Sequence, residues 1–346
     1  MRYAIIGSGM MGQEHIENIR LLPESRVVAL ADPDEGMRRQ AAARCDPDVR
    51  VFTDYRELLG AGGFDALVVV TPNYTHCAVL LDALATGLPI LTEKPLCTTV
   101  EDCDRVLAAA AGRAAPVWVA MEYRFMPPVA RLIEEVRQGT VGKLRMLSIR
   151  EHRFPFLKKV GDWNRFARNT GGTMVEKCCH YFDLMRLITG AEPVRLYASG
   201  GQDVNHLDEA YGGERPDIVD NGYVTVDFAN GVRAMLDLCM FAEVSRDQEE
   251  IAAVGELGKV ECATPSSRLW IGRRDTGELT REVVPVDEQV MAAGQHHGST
   301  YYQHRAFQDL VRNGGRPAVS LHDGRMAVVM GAAAERSMRE QTVVTF

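Results

Sequence analysis

A glycine-rich turn near the amino terminus constrains the fold more than any other feature of this sequence. Gly7, Gly9 and Gly12 form a GxGxxG pattern directly after the apolar run Arg2–Ile6 and at the start of a helical stretch. Glycine suits these positions because the turn is tight, a pyrophosphate approaches the backbone closely, and the helix packs near the strand. The pattern predicts a βαβ unit whose helix amino terminus faces the phosphates of a dinucleotide. The residues predicted to contact the dinucleotide in this turn are Gly7, Ser8, Gly9, Met10, Met11 and Gly12.

An acidic residue follows the second predicted strand, Arg26–Ala31. Asp32 stands twenty residues after Gly12, where a carboxylate binds the adenosine ribose diol. A lone GxGxxG can be a plain glycine-rich turn, but the order of strand, turn, helix, strand and acid favours a dinucleotide site. Because a carboxylate hydrogen-bonds a 2'-hydroxyl and repels a 2'-phosphate, NAD is favoured over NADP. The nearby Arg38 and Arg39 weaken that preference.

The length of 346 residues exceeds the usual size of one hydrophobic core, which favours two domains. The first third alternates short apolar runs with helical stretches, as in a doubly wound parallel sheet. Six strands are predicted at residues 2–6, 26–31, 50–52, 66–71, 89–92 and 117–121. Helices are predicted at residues 10–22, 33–44, 74–86 and 99–111. The expected dinucleotide-binding domain is therefore residues 1–122.

The sequence pattern changes after Pro127 and Pro128, where an amphipathic helix precedes strands that alternate apolar and polar residues. The stretch 232–240 is typical: its even-numbered residues are apolar and share one face. Further short strands are expected between residues 251 and 284, separated by Gly255, Gly258 and Gly272. Residues 123–346 are therefore predicted to form an α+β domain with a large, mostly antiparallel sheet, for substrate binding and oligomerisation. Two helices, at 299–313 and 322–338, close the chain, and the last could pack back on the first domain.

Composition narrows the class of protein and of partner. A hydrophobic fraction of 46% with 25% charged residues excludes disorder as the main state. The net charge of −8 gives no cationic field for binding nucleic acid or an anionic membrane, and no apolar run approaches a membrane-spanning length. Eight cysteines without a CxxC pair indicate a reducing compartment, and the first strand begins too early for a signal peptide. We therefore expect a soluble cytoplasmic protein.

Several motifs together resemble the Gfo/Idh/MocA oxidoreductase family over essentially the whole chain. The motifs are Thr71-Pro72-Asn73 with His76, Glu93-Lys94-Pro95, residues 170–183 followed by Gly190, Tyr123-Arg124-Phe125, and the closing stretch 320–337. Glu-Lys-Pro after the fifth strand is the most specific element, because both its position and its three residues match the family. Besides the glycine turn and Asp32, the resemblance implies cofactor contacts at Thr71, Asn73, His76, Glu93, Lys94, Trp163 and Arg165.

The resemblance also implies that Lys94 and His180 lie around the nicotinamide and the reacting carbon. Hydride removal from an alcohol carbon requires a positioned base for the hydroxyl proton, and a lysine beside oxidised nicotinamide should have a depressed pKa. Glu176 stands where the family has aspartate and Cys178 where it has glycine. We expect Glu176 to orient His180 or to bind a substrate hydroxyl. The structural alternatives are a surface Lys94 and a buried, hydrogen-bonded His180.

A metal site is the other interpretation of Glu176 and His180, because Glu and His at i, i+4 can converge on one ion. The adjacent Cys178 and Cys179 point about 100 degrees apart on a helix, which spoils the convergence of all four groups. The resemblance implies a mechanism without a metal.

Substrate recognition is predicted from polar and aromatic clusters at residues 151–153, 162–165 and 295–297. Such groups bind carbohydrate hydroxyls, with an aromatic face beneath the ring. The residues that could line the substrate cleft are Lys94, His152, Trp163, Arg165, Glu176, His180 and His297. His152, Trp163, Arg165 and His297 are equally compatible with surface or interface positions.

The sequence therefore predicts an NAD-dependent dehydrogenase acting on a secondary hydroxyl of a sugar or cyclitol. Two alternatives stay open: reduction of a carbonyl or dihydrodiol on the same fold, and a non-catalytic dinucleotide or sugar sensor. A sensor needs no proton acceptor, so the presence of Lys94 and His180 argues against it. Met235 and Cys239, expected on an open sheet face, favour pairing of subunits, and the resemblance implies a homodimer or homotetramer.

Overall fold

The computed structural model describes all residues, 1–346, and the chain divides into two compact units. Unit 1 comprises Met1–Phe125 and Asp287–Val328, and unit 2 comprises Met126–Val286 and Val329–Phe346. The first division lies close to the predicted boundary after residue 122. The predicted second domain, 123–346, is not one continuous stretch, because residues 287–328 cluster with unit 1.

Unit 1 contains a six-stranded parallel sheet, which confirms the predicted doubly wound fold. Its strands are β1 (Arg2–Ile6), β2 (Arg26–Ala31), β3 (Arg50–Phe52), β4 (Ala66–Val69), β5 (Ile90–Thr92) and β6 (Val117–Val119). Their order in the sheet is β3-β2-β1-β4-β5-β6. The chain therefore winds outward in both directions from β1 and β4, and ligands of such sheets bind at the carboxyl ends of the strands beside this switch.

Seven α-helices lie wholly within unit 1. They are α1 (Met10–Arg20), α2 (Glu35–Ala42), α3 (Tyr55–Ala61), α4 (His76–Leu84), α5 (Val100–Ala110), α10 (Glu288–Ala292) and α11 (Ser299–Asn313). Asp34 caps α2 by accepting from the Met37 amide, and Thr99 caps α5 by accepting from the Asp102 amide. The seven-residue α3 was not among the predicted helices. In contrast, α1 begins at Gly9 with no side-chain cap, which leaves its first amides available.

Unit 2 contains a nine-stranded mixed sheet. Its strands are β7 (Leu144–His152), β8 (Pro193–Gly201), β9 (Asn221–Phe228), β10 (Arg233–Cys239), β11 (Glu249–Gly255), β12 (Gly258–Thr264), β13 (Arg268–Arg273), β14 (Leu279–Val283) and β15 (Val344–Thr345). The order is β14-β13-β12-β11-β7-β10-β9-β8-β15, and every neighbouring pair is antiparallel except β7 with β10. The prediction of a large, mostly antiparallel sheet is confirmed.

One face of this sheet is covered and the other is open. On β10 the predicted apolar face, Ala234, Leu236 and Leu238, is buried, whereas Met235 is exposed on the other side. The helices of unit 2 are α6 (Pro127–Arg137), α7 (Ala167–Thr170), α8 (Thr173–Glu176), α9 (Cys179–Thr189) and the part of α12 (Leu321–Glu340) that follows residue 328. Helix α9 packs against β7 and α6 against β12, so the unit 2 core lies between these helices and the sheet.

Two local predictions about unit 2 were wrong. Gly272 lies inside β13 rather than between strands, and the turn that follows uses Gly277, whose φ is 68°. The single helix expected around His180 is instead two, α8 and α9, separated at Lys177 and Cys178. Elsewhere the chain offers no candidate for a membrane span, because none of its helices is both long enough and apolar enough.

Candidate active site

The glycine turn of unit 1 is shaped by close approaches of backbone to backbone. Gly7 has φ 97°, and a Cβ atom there would overlap the carbonyl of Val70 at the end of β4. A Cβ on Gly12 would overlap the carbonyl oxygen of Gly7, so α1 could not start this close to β1. A Cβ on Gly9 would meet nothing within 4 Å. Gly7 and Gly12 are therefore required for packing, whereas Gly9 keeps the approach to the α1 amino terminus open.

This turn fits the phosphates of a dinucleotide. The amides of Met10, Met11 and Gly12 form the first turn of α1, and no side chain of the protein caps them. Uncapped amides at a helix amino terminus, together with the helix dipole, bind phosphate oxygens. The cradle that the glycines create is open where these amides lie, as the predicted contacts require.

Asp32 lies beside the same turn, at the end of β2. Its Oδ2 accepts from the Ser8 amide at 2.7 Å, and its Oδ1 accepts from the Asp34 amide at 2.9 Å. These two bonds fix the carboxylate while each oxygen retains a lone pair for a ribose hydroxyl. Arg38 folds over the strand end, and its Nη1 donates to the carbonyls of Asp32, at 2.6 Å, and Pro33, at 2.8 Å. A guanidinium is thus held close to the predicted ribose site.

The loop that follows β4 contributes Thr71 and Asn73. Thr71 is half-buried and its hydroxyl accepts from that of Thr75 at 2.8 Å, whereas Asn73 is buried and its Nδ2 lacks a hydrogen-bond partner. That amide fits an acceptor on a bound ligand. His76 differs from the prediction: it is fully buried, with its ring nitrogens 2.8 Å from the Pro95 carbonyl oxygen and 2.9 Å from that of Thr71. His76 therefore ties two loops together, and burial lowers its pKa.

The loop that follows β5 contains Glu93 and Lys94. Lys94 is half-buried at the edge of the sheet where β1 and β4 also end. The Glu93 side chain is buried and turns inward: Oε1 lies 3.0 Å from His15 Nε2 of α1, and Oε2 accepts from the Lys94 amide at 3.1 Å. Glu93 was predicted to contact the cofactor directly, but the structure gives it partners within the protein.

The other predicted reacting groups belong to unit 2. Glu176 ends α8, His180 lies in the first turn of α9, and all but 7% and 2% of their respective surfaces is buried. Asp183, one turn further along α9, is completely buried. A histidine and a carboxylate thus lie close together along the chain in a protected environment, as proton transfer requires.

A buried ion pair anchors the break between α8 and α9, and the sequence did not reveal it. The Lys177 Nζ lies 2.9 Å from Oε1 of Glu151, which is on the covered face of β7. Glu249 of β11 is the register partner of Glu151. Burial lowers the pKa of Lys177 and raises that of Glu249, to which the charge of Glu151 also contributes. The alternation along β7, which places Glu151 on the same face as Leu147 and Ile149, is the sequence signal from which this burial could have been predicted.

The residues predicted to bind substrate in unit 2 have different surroundings. Arg165 is 1% exposed and its Nε donates to Glu209 at 2.8 Å, so it is held by an ion pair within the unit. Trp163 is half-buried in a short 3₁₀ helix, Val160–Arg165. His152 pairs with Asp237 at 3.2 Å on the open face of the sheet. Because α9 covers the opposite face, the position of His152 does not favour contact with a substrate at His180.

His297 belongs to unit 1 rather than to the second domain where it was predicted. It precedes α11, with φ 52°, a left-handed conformation that is uncommon for histidine.

No group of three or more His, Cys, Asp or Glu side chains has the arrangement of a metal site. All eight cysteines are free thiols, and burial raises the pKa of Cys178 well above its ordinary value.

Comparison with known proteins agrees with both halves of this architecture. The model of the oxidoreductase family with an NAD-binding Rossmann fold, GFO_IDH_MocA, matches residues 1–121. The model of the C-terminal alpha/beta domain of that family matches residues 133–346.

Several of the relatives and solved structures with which the chain aligns are dehydrogenases. The myo-inositol 2-dehydrogenase of Thermotoga maritima is 27% identical, over 99% of this chain and 98% of the relative. Inositol 2-dehydrogenase 1 of Saccharopolyspora erythraea is 26% identical, over 99% and 96%. Levoglucosan dehydrogenase, solved in complex with NADH, has the same fold, with a TM-score of 0.87, 18% identity and coverage of 100% of this chain and 98% of the other. With a GxGxxG turn, an acid at the end of β2 and both domain models matched, this chain belongs to the Gfo/Idh/MocA family and is an NAD-binding oxidoreductase.

Proposed function

We propose that this enzyme oxidises a secondary hydroxyl of a sugar or cyclitol, with NAD as the hydride acceptor. The observation that carries the proposal is the position of Lys94, half-buried at the carboxyl edge of a sheet whose first turn is built for a dinucleotide. A lysine at this edge lies where ligands of doubly wound sheets bind. The inositol 2-dehydrogenases that align over nearly the whole chain support a polyhydroxylated ring as substrate.

Each step of the reaction has a residue suited to it. Bound NAD would accept the hydride from the alcohol carbon at its nicotinamide ring. Lys94 takes the hydroxyl proton as the carbon becomes a carbonyl, and His180 receives or relays that proton. Glu176, buried at the end of α8 four residues before His180, orients the imidazole or accepts a hydrogen bond from a second substrate hydroxyl. In the reverse direction the same groups return the proton to the carbonyl oxygen.

The cofactor is proposed to lie along the carboxyl edge of the unit 1 sheet. The uncapped amides of Met10, Met11 and Gly12 would hold the pyrophosphate, with Gly9 leaving space for it. Asp32 would bind the adenosine ribose, which favours NAD over NADP. Direct cofactor contacts by Trp163 and Arg165 stay a prediction, and Arg165 would have to make them while paired with Glu209.

The test is a comparison of Lys94→Ala with a matched surface variant. Lys94→Ala should retain NAD binding, measured by fluorescence titration, but lose at least about 100-fold in kcat, the usual contribution of a general base. Lys259→Ala is the control, because Lys259 is an exposed partner of Glu261 on β12. Near-normal turnover of Lys94→Ala would remove Lys94 from the mechanism.

The substrate class is decided by a panel assay. NAD reduction with inositols, aldoses, anhydrosugars and dihydrodiols, and NADH oxidation with the matching carbonyl compounds, would identify the hydroxyl that reacts. We expect activity with at least one cyclitol or sugar. Turnover confined to dihydrodiols or non-sugar carbonyls would favour the alternative reductase function.

We also propose that the protein assembles as a homodimer or homotetramer through the open face of the unit 2 sheet. Large apolar side chains are exposed on four adjacent strands of that face: Met146 of β7, Met235 of β10, Tyr223 of β9 and Tyr197 of β8. Contiguous exposed apolar surface of this kind fits a self-complementary contact between two copies. Light scattering on the wild type and on Met235→Glu tests this, and a monomeric wild type would refute it.

The eight free thiols support a cytoplasmic location.

A further inference from the structure

Three buried titratable side chains of unit 1 form a hydrogen-bonded chain that ends at Lys94. His304 Nε2 lies 2.7 Å from His15 Nδ1, and His15 Nε2 lies 3.0 Å from Glu93 Oε1. The other Glu93 oxygen accepts from the Lys94 amide at 3.1 Å. His304 and His15 are completely buried and Glu93 is 5% exposed. The mechanism above uses none of the three.

The hydrogen-bond directions follow from what each ring can satisfy. Burial lowers the pKa of His304 well below its ordinary value, so this ring is neutral and carries one N–H. Its Nδ1 is buried without a partner, and a buried donor without an acceptor is unfavourable. The hydrogen therefore lies on Nε2 and is donated to His15 Nδ1. His15 must then donate from Nε2 to the carboxylate of Glu93.

Glu93 carries the negative charge at this point of the structure. Burial acts to raise its pKa, but the hydrogen bond from His15 and the charge of Lys94 hold the pKa below its usual range. The ionisable groups that face Glu93 are His15 on α1, His76 on α4, Lys94 on its own loop and Glu122 after β6. Burial and then other charges, including that of Glu93, raise the pKa of Glu122, whose Oε2 accepts from Thr300 at 2.6 Å. The pKa of Glu122 is thus raised and that of Glu93 lowered, so Glu93 holds its negative charge more strongly of the two.

The hydrogen bonds among His304, His15 and Glu93 also determine where the loop that contains Lys94 lies. Glu93, the first residue of this loop, is hydrogen-bonded to His15 of α1, the helix that starts at the glycine turn. The Pro95 carbonyl oxygen lies 2.8 Å from His76 Nδ1, so the loop is held on both sides of Lys94. A bond between α1 and this loop connects the dinucleotide turn directly to the lysine.

The structure assigns Glu93 as a positioning residue for Lys94: held by His304 and His15, it fixes the lysine backbone to α1, and its negative charge attracts the charge of the lysine side chain. This assignment rests on the proposed function of Lys94 as the base. It predicts that Lys94 keeps its proton more strongly in the unloaded protein than a lysine without this neighbour. Removal of the charge should lower the Lys94 pKa by about one unit, since a nearby opposite charge shifts a pKa by about 1–3 units.

Lysine titration by NMR tests this without any turnover. The chain has only six lysines, so ¹³C labelling at lysine Cε gives few signals, and the Lys94 signal is the one absent from Lys94→Arg. In unloaded Glu93→Gln the Lys94 midpoint should fall by about one pH unit, and the acidic limit of the kcat/KM profile should move by a similar amount to lower pH. Glu122→Gln is the matched control, because Glu122 lies in the same buried region but its carboxylate accepts from Thr300 and not from the Lys94 amide. The Lys94 midpoint in Glu122→Gln should be unchanged.

Two results would overturn the assignment. The first is a Lys94 midpoint in Glu93→Gln that stays at the wild-type value, or one that Glu122→Gln moves equally. The second comes from the wild type and so does not depend on a variant that folds: ¹⁵N histidine spectra should show His304 as a neutral ring protonated at Nε2, and His15 with a hydrogen on Nε2. A cationic His304, or an Nδ1 tautomer at either position, would contradict these hydrogen-bond directions. Full turnover by Lys94→Ala would instead refute the proposed function itself.

Discussion

Replacement of Asp32 separates the proposed role of this carboxylate in ribose binding from its observed role as an acceptor for backbone amides. Asp32→Ala removes the charged acceptor proposed for the adenosine ribose and also the acceptor for the Ser8 and Asp34 amides. A hydrogen bond to a charged group contributes about 1.5–3 kcal/mol, so NAD should bind about 10- to 100-fold more weakly. NADP should lose much less, because its 2'-phosphate is no longer repelled by a carboxylate and Arg38 stays nearby.

Asp32→Asn refines this test because an amide keeps one acceptor oxygen without the charge. It should shift the cofactor preference in the same direction while losing less stability than Asp32→Ala in the unloaded protein. Dissociation constants for NADH and NADPH from fluorescence titration, together with urea unfolding, measure both effects. Asp46→Ala is the control, because the Asp46 side chain is exposed and pairs with Arg26. An unchanged NAD/NADP ratio in Asp32→Ala would show that other residues set the preference.

Two further predictions concern buried charges of unit 2. Lys177→Met should destabilise the protein by about 3–5 kcal/mol in urea unfolding, because it leaves Glu151 buried without its 2.9 Å partner; Lys259→Met, at an exposed pair, should change stability by less than about 1 kcal/mol, and equal effects would refute the argument. Glu335 accepts from the Met174 amide, and burial raises its pKa to about 7. Since its folded pKa lies above its unfolded value, its contribution to stability is fully present at acidic pH and is lost as pH rises through about 7. Glu335→Gln should therefore gain stability relative to wild type between pH 5 and 8, and a constant difference across that range would contradict the reasoning.

Much of the fold could be predicted because the signals are local. The spacing of Gly7, Gly9 and Gly12 after an apolar strand reflects backbone conformation and close approach within one βαβ unit. The alternation in β10 directly identifies the residues that face the core, since successive side chains of a strand point to opposite faces. For these elements, a short stretch of sequence contains all the information that the structure uses.

Predictions of side-chain environment were less successful. His152 and Glu151 are neighbours in the same polar cluster, yet one lies on the open face of the sheet and the other is buried under α9. The break between α8 and α9 was missed because the helical spacing of Glu176 and His180 continues across it. It is held by Lys177, whose partner lies on a distant strand. Burial against another element decided each of these cases.

The sequence by itself determined the strands of the parallel sheet, most of the helices between them and the dinucleotide turn, because these depend on periodicity and on the conformational freedom of glycine. Only the tertiary structure decided which polar groups share the low-dielectric interior. His15 meets Glu93 across 78 positions of sequence and His304 across 289. Such contacts depend on how helices and strands pack, and a buried polar group is stable only where packing supplies its partner.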